Sequence, residues 1–208
     1  MSVILSSLIG GLLIADATAL GQMMFSRPIF AGPLIGFITG DLQAGLYAGM
    51  IMELVWITVI PLGNVIPPDA SVVAIASAAI ASGGEPGRAY LVFIILLLVP
   101  FGIFFKKLDM IQREFNVYFT HKTEVKLEEG DTSYIGRAVL ESSLLFFLKG
   151  FIFLILLIGA GRRIFPELFA LIPDKGLTSL EDVFFVLPAV GFGTAITTFI
   201  FKKSQSMR

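Results

Sequence analysis

The sequence predicts an all-α integral membrane protein, a multi-span helical bundle with broken or re-entrant helices in its N-terminal half. Of its 208 residues, 56% are hydrophobic and 15% are charged, and the mean hydropathy is +0.89. Soluble domains are about a quarter charged. The charges are also segregated, since residues 1–105 contain seven and residues 106–138 contain twelve. A soluble fold spreads charge over its exposed faces, so the bare tracts indicate contact with lipid.

The same composition excludes several functional classes. The formal net charge is −1, and no basic patch with interleaved aromatic residues indicates nucleic-acid binding. Cysteine is absent, which removes disulfides, thiolate catalysis and cysteine metal sites. The N-terminus lacks a basic region, and Asp16 stands where a signal-peptide cleavage site would fall. We therefore expect no cleaved signal peptide.

Three apolar stretches predict membrane-spanning helices, because each approaches the roughly 20 residues that a span requires. They are Ala89–Phe105, with Pro100 as an expected kink, Leu144–Ala160 and Phe184–Phe201. Glycine, proline and lone charges interrupt the apolar runs before residue 88. Interrupted runs of this kind are typical of discontinuous or re-entrant helices, which membranes tolerate only around protein or a wet cavity.

Residues 106–138 form the one long polar segment and are predicted to be a cytoplasmic amphipathic loop. Their early part has helical spacing, an exposed turn is expected at 128–131, and six of the residues are Lys or Arg. The positive-inside rule places such a segment in the cytoplasm. The predicted organisation is one membrane domain over 1–208. It comprises a motif-bearing half (1–105), the polar loop (106–138), two transmembrane helices (139–201) and a cytoplasmic tail (202–208).

The stretch GDLQAGLYAGMIMEL, residues 40–54, has glycines between two carboxylates. Gly45 and Gly49 share a helix face, and small residues at that spacing favour close helix packing in membranes. Asp41 is expected to cap the helix N-terminus. Glu53 lies within an apolar run, without an expected cap role or neighbouring cation. An isolated acid in such a run is a functional-site hypothesis, with a structural hydrogen bond to another helix as the alternative.

The stretch PLGNVIPPDA, residues 61–70, must interrupt any helix because it contains three prolines and a glycine. Asp69 is expected to cap a following helix of small residues. Two interpretations remain open: a capped turn at the membrane surface, or a re-entrant tip where Asn64 and Asp69 line a cavity. Asn both donates and accepts, and carboxylates accept from hydroxyls, so an uncharged polyol suits the second interpretation. Trp56 would stack on such a ligand or anchor the chain at the interface.

Four isolated polar residues complete the sequence evidence. Gln22 is costly in lipid and should face protein. Arg27 is expected to mark a helix boundary, and both Arg27 and Lys149 are expected to extend their charges toward water. His121 lies in the charged segment and is expected to be solvated. No P-loop, GxSxG or HExxH pattern is present, so we expect binding rather than a catalytic residue, metal or cofactor of the chain's own.

Three motifs together resemble the mannose/fructose/sorbose-type IIC membrane subunits of the bacterial sugar phosphotransferase system. They are RP at Arg27–Pro28, the GD-x3-G-x3-G-x3-E run from Gly40 to Glu53, and PDA at Pro68–Ala70. The resemblance extends through the polar loop and the last two helices. It implies a multi-pass protein of the bacterial inner membrane, with Glu53, Asn64, Asp69 and Gln22 at or near the sugar site.

The resemblance also implies partners. Subunits of this family form a sugar channel with a IID membrane subunit, while cytoplasmic IIA and IIB proteins carry the phosphoryl group to the released sugar. A homo- or hetero-oligomer is therefore expected, and the membrane subunit itself carries no phosphorylated residue. The chain departs from the family at Gly21–Gln22, where an acidic pair is expected, and it ends at Arg208, before an expected further hydrophobic stretch.

Two alternatives remain open. One is a non-transporting membrane scaffold or regulatory subunit derived from the family. The other is a substrate-binding membrane subunit of an unrelated transporter, for which a single histidine and no cysteine argue against transition-metal cargo. The first interpretation remains a sugar permease subunit.

Overall fold

The computed structural model describes residues 2–57, 68–84 and 87–205, with side chains from residue 3 to residue 198 within those ranges. All regular structure in these residues is α-helical, which confirms the predicted fold class. The helices are α1 (Ser2–Asp16), α2 (Pro28–Thr39), α3 (Leu42–Trp56), α4 (Ala70–Ala81), α5 (Arg88–Glu128), α6 (Tyr134–Phe169) and α7 (Asp174–Gln205). Asn64 lies outside the described residues.

The three helices that are long and apolar enough to cross a membrane, among the described residues, are α5, α6 and α7. Each contains one of the stretches predicted to span. The polar segment 106–138 is mostly helical, because α5 continues without interruption to Glu128. The turn expected at 128–131 is confirmed, with Gly130 in the left-handed region at a φ of 85°, and α6 begins at Tyr134.

The four helices before residue 84 are shorter, with 12 to 15 residues each. At 1.5 Å per residue they are about 18–23 Å long, less than the roughly 30 Å hydrocarbon core. The interrupted apolar runs therefore correspond to broken helices, as expected. Each break exposes backbone N–H and C=O groups that need partners inside the protein.

Helices α2 and α3 form a hairpin whose contact is made of glycine. A Cβ atom on Gly36 would lie 2.8 Å from the Cα of Gly45, and one on Gly32 would lie 2.8 Å from the Cα of Gly49. Such distances leave no room for any side chain, so the two backbones touch directly. The prediction that Gly45 and Gly49 serve helix packing is confirmed.

Helix α4 lies at the centre of the bundle and packs against α1, α2, α3, α5 and α6. Residues 72–81 are all buried, as expected for a helix that is apolar on every face. One of its C-terminal carbonyls accepts from α6: the Arg162 guanidinium donates to the Ala79 carbonyl through Nε at 2.9 Å and to the Ser82 hydroxyl at 3.0 Å. The central helix is thus fixed at both ends, since Asp69 caps its start.

Candidate functional site

Three carboxylates hold the breaks between the short helices by accepting backbone N–H groups. Asp41 accepts from the Ala44 N–H at 2.9 Å, and Asp69 accepts from the Val72 N–H at 3.1 Å. The predicted caps of α3 and α4 are therefore confirmed. Asp16, which is 7% exposed, fixes the α1–α2 connection by accepting the N–H groups of residues 23 and 26 at 2.9 and 3.2 Å.

Glu53 is not isolated, and the expectation that it has neither a cap role nor a cation is wrong. Its carboxylate pairs with the Arg27 guanidinium and accepts the backbone N–H of Ile29 at 3.3 Å. The hairpin explains this contact, because glycine packing returns the end of α3 to the start of α2. Arg27 does mark the boundary of α2, as expected. Its guanidinium pairs with Glu53, although the Arg27 side chain remains 45% exposed.

A small cleft of about 190 Å³ opens beside this ion pair, where α2 begins, α3 ends and α4 begins. We call it the Glu53 cleft. The Glu53 side chain is 11% exposed, so its carboxylate is shielded but reachable. The cleft thus combines a carboxylate acceptor, a guanidinium donor and an indole side chain. Its lining residues are Arg27, Pro28, Met52, Glu53, Trp56, Ile57 and Ala70.

Asp69 adjoins the Glu53 cleft through Ala70 but directs its second carboxylate oxygen elsewhere. That oxygen accepts from Lys106 Nζ at 3.3 Å, and Lys106 Nζ also lies 3.6 Å from Asp109. Asp109 in turn pairs with Lys149 of α6. Two acids and two bases therefore form one chain across α4, α5 and α6, which we call the charge chain.

The charge chain corrects one expectation and adds a residue that sequence reasoning missed. Lys149 does not extend toward water: its side chain is 15% exposed, and its Nζ lies 3.9 Å from the ring centroid of Phe146. The missed residue is Asp109, whose side chain is 6% exposed. In the sequence it is one of twelve charged residues in the polar segment, and nothing distinguishes it from the others. An acid and a base 40 residues apart give no local signal, so only the packing of α5 on α6 shows the pair.

The four residues predicted to bind substrate are distributed unequally. Glu53 lines the Glu53 cleft, and Asp69 stands beside it with both oxygens engaged. Gln22 lines a different and larger cleft between α5, α6 and the α1–α2 connection. Asn64 belongs to the undescribed residues. The structure brings together the ends of α2, α3 and α4, but it does not bring Gln22 to them.

These features define a multi-pass helical membrane protein in which short, capped helices end around a polar cleft, an architecture typical of transporters. The family follows from comparison with known proteins: the family model described as "PTS system sorbose-specific iic component" matches residues 1–207. The chain belongs to this family of IIC membrane components of the sugar phosphotransferase system.

Individual relatives agree with this assignment. Over 85 residues the chain is 37% identical to the "Putative N-acetylgalactosamine permease IIC component 2" of Escherichia coli (strain K12), covering 40% of this chain and 60% of that protein. Over 117 residues it is 26% identical to the "PTS system mannose-specific EIIC component" of the same strain, covering 56% of this chain and 43% of that protein. The chain thus aligns with about half the length of these curated relatives.

Solved structures share the fold. One, described as "Structure of membrane protein", superposes with a TM-score of 0.78 at 20% identity, covering 95% of this chain and 79% of that chain. Another is the cryo-EM structure of the mannose transporter ManYZ in complex with microcin E492, with a TM-score of 0.68 at 21% identity and coverage of 94% and 78%. At these identities the likeness establishes the helical membrane fold.

Proposed function

We propose that this chain is the sugar-translocating IIC subunit of a phosphoenolpyruvate-dependent phosphotransferase system, with Glu53 as its principal sugar ligand. The observation that carries the proposal is the Glu53 cleft, where an acid and an arginine meet an indole at the ends of three short helices. Its volume of about 190 Å³ is below the range for drug-sized ligands and suits a single sugar ring.

The chemistry of the cleft supports a neutral polyol. A carboxylate accepts hydrogen bonds from hydroxyl groups, and the guanidinium has five N–H donors, more than its contact with Glu53 uses. The apolar face of Trp56 can lie against the C–H groups of a sugar ring. Since Arg27 and Glu53 neutralise each other, the cleft offers hydrogen bonds without a net charge for an ionic ligand.

The position of the cleft suits release toward a phosphorylating partner. The cleft lies where α4 begins, and this end of α4 is joined to Lys106 through Asp69. Lys106 opens the polar segment that the positive-inside rule assigns to the cytoplasm. A sugar leaving the cleft on this side would meet a cytoplasmic IIB protein, which we propose as the phosphoryl donor.

A IID membrane subunit is the partner we propose within the bilayer. Only 11% of the most apolar 18-residue stretch of α7 is buried. Large side chains such as Phe185, Val190 and Phe192 are exposed along this helix. Lipid can cover such a surface, and so can a second membrane subunit. The family membership and the ManYZ likeness favour the partner.

Uptake of labelled sugar tests the proposal in cells that lack other sugar permeases and carry the IIA, IIB and IID companions. Glu53→Gln keeps the size of the side chain and can still accept the N–H of Ile29. We expect uptake of mannose, N-acetylgalactosamine or sorbose to fall by about tenfold or more, since a hydrogen bond to a charged group contributes about 1.5–3 kcal/mol.

The matched control is Asp41→Asn, which removes one carboxylate charge from the opposite end of the same helix. It should transport sugar at close to the normal rate. Normal uptake by Glu53→Gln at an unchanged membrane level would contradict the assignment of Glu53. Absence of binding of any of the three sugars to the purified wild-type complex would instead favour a scaffold role.

A further inference from the structure

A cavity of about 760 Å³ lies between α5, α6 and the α1–α2 connection. We call it the α5–α6 cleft. Its walls come from residues 109–127 of α5 and 135–146 of α6, and residues 18, 19 and 22 of the α1–α2 connection also line it. No lining residue is shared with the Glu53 cleft.

Gln112 is the unusual residue of this cleft. It is 9% exposed, yet neither its amide nitrogen nor its amide oxygen has a hydrogen-bond partner among the described residues. Burying an amide without a hydrogen bond costs about 1–3 kcal/mol by mutational estimates, and buried polar groups nearly always have partners. Both amide atoms are also screened from the cavity in this conformation, so the side chain must rotate to meet a partner that enters the cavity.

The neighbours of Gln112 select the chemistry of that partner. Asp109 and Asn116 lie three residues before and four after it, so the three share one helix face. Asn116 accepts the Ser142 hydroxyl at 3.0 Å through its amide oxygen, so its NH2 group is the end that can donate to a ligand. The amide of Gln112 adds both a donor and an acceptor. Alternating donors and acceptors on one wall match vicinal hydroxyl groups.

The charges of the cleft favour a neutral ligand. Asp109 is neutralised by Lys149 and Lys106 of the charge chain. The other charged lining residues are Arg113 and Glu124, one of each sign. An anion such as a sugar phosphate would gain no net attraction there. The ring of Phe146 adds an apolar surface of the kind that a sugar face contacts.

We propose that the α5–α6 cleft is a second sugar-binding site, with Gln112 as its central ligand and Asn116 beside it. The inference rests on the proposed sugar-permease function. The charge chain separates the two sites, since Asp69 adjoins the Glu53 cleft and Asp109 lines the α5–α6 cleft. A volume of about 760 Å³ is ample for one sugar with its water.

The absence of cysteine from the sequence permits a direct test by single-cysteine labelling in the purified complex with its IID partner. Ser143→Cys reports on the α5–α6 cleft, Ile57→Cys reports on the Glu53 cleft, and Ser179→Cys, on the exposed face of α7, is the matched control. The rate of maleimide modification is measured with and without mannose, N-acetylgalactosamine or sorbose.

We expect one of these sugars to slow modification at Ser143→Cys by about tenfold when its concentration is about ten times the dissociation constant, because the free fraction falls in that proportion. Ser179→Cys should not change. Adding Gln112→Leu should abolish protection at residue 143 and leave protection at residue 57 intact. Leucine should not unfold the protein, since it replaces an unpaired polar group with an apolar one.

Two outcomes overturn the second site while the proposed function stands. In one, residue 57 is protected and residue 143 is not, which means that only water enters the α5–α6 cleft. In the other, protection at residue 143 survives Gln112→Leu, which means that it arises from a conformational change. Protection at residue 143 alone supports the second site and rejects the Glu53 cleft, whereas no protection at either position rejects both.

Discussion

The two clefts differ in how their polar groups are held, although both are lined by interrupted or amphipathic helices of one membrane bundle. At the Glu53 cleft, the carboxylate is fixed by Arg27 and by a backbone N–H of α2. At the α5–α6 cleft, the amide of Gln112 has no partner among the described side chains. The first site is preorganised by the protein, whereas the second requires Gln112 to rotate toward a ligand.

Helix contact explains the difference. Glycines let α2 and α3 touch backbone to backbone, so the ends of the hairpin meet and their polar groups find each other. Between α5 and α6, large side chains such as Phe119, Leu127 and Phe146 line the cleft. Side chains of that size hold two helices apart and leave a cavity. Small residues therefore close one polar site, and large residues keep the other open.

The largest effect is expected from adding a side chain at the glycine contact between α2 and α3. Gly45→Val would force a side chain to within 2.7 Å of the Gly36 backbone, and backbone cannot move aside as a flexible side chain can. We expect little folded protein in the membrane, measured as monodisperse material after detergent extraction. Gly159→Val is the control, because a Cβ there meets nothing within 4 Å. Equal recovery of the two variants would refute the packing role.

The next largest effect is expected from the charge chain. Asp109→Ala leaves Lys149 buried without its partner, and breaking such a pair costs about 3–5 kcal/mol. The double variant Asp109→Ala/Lys149→Ala should be more stable than Asp109→Ala alone, because no uncompensated charge remains. Thermal unfolding of the detergent-solubilised protein measures both. Additive losses in the double variant would show that the pair does not couple α5 to α6.

In the α5–α6 cleft, by contrast, we expect a substitution that does not lower the stability of the protein. Gln112→Leu should leave the unfolding temperature unchanged or raise it in the absence of sugar, since it removes an unpaired buried amide. Asp16→Leu, at a carboxylate with two backbone partners in the N-terminal half, should lower it. A marked loss of stability in Gln112→Leu would mean that Gln112 is satisfied inside the protein.

A small loss of stability is expected at a cap. Asp41→Ala removes the acceptor of the Ala44 N–H and should destabilise the protein by about 1 kcal/mol. Asp41→Ser, which can still cap, should recover most of that loss. A thermal shift that is the same for alanine and serine would indicate that the cap hydrogen bond contributes nothing measurable.

The sequence predicted features that depend on neighbours along the chain. The caps at Asp41 and Asp69, the turn after Glu128 and the three long helices all follow from local residue order. The Glu53–Arg27 pair did not, because two residues 26 positions apart meet only when the glycine hairpin closes. Gln112 gave no signal at all, since its unpaired state depends on how far α6 stands from α5.

Charge reversal at the Glu53 cleft is the most direct test of Glu53 as the principal sugar ligand. The variant Arg27→Glu/Glu53→Arg keeps an ion pair across the hairpin but moves the carboxylate away from the end of α3. If the carboxylate of Glu53 binds sugar, the double variant should reach the membrane at a normal level and show no sugar uptake. Uptake restored to the wild-type rate would show that the pair only holds the hairpin together and would contradict the assignment.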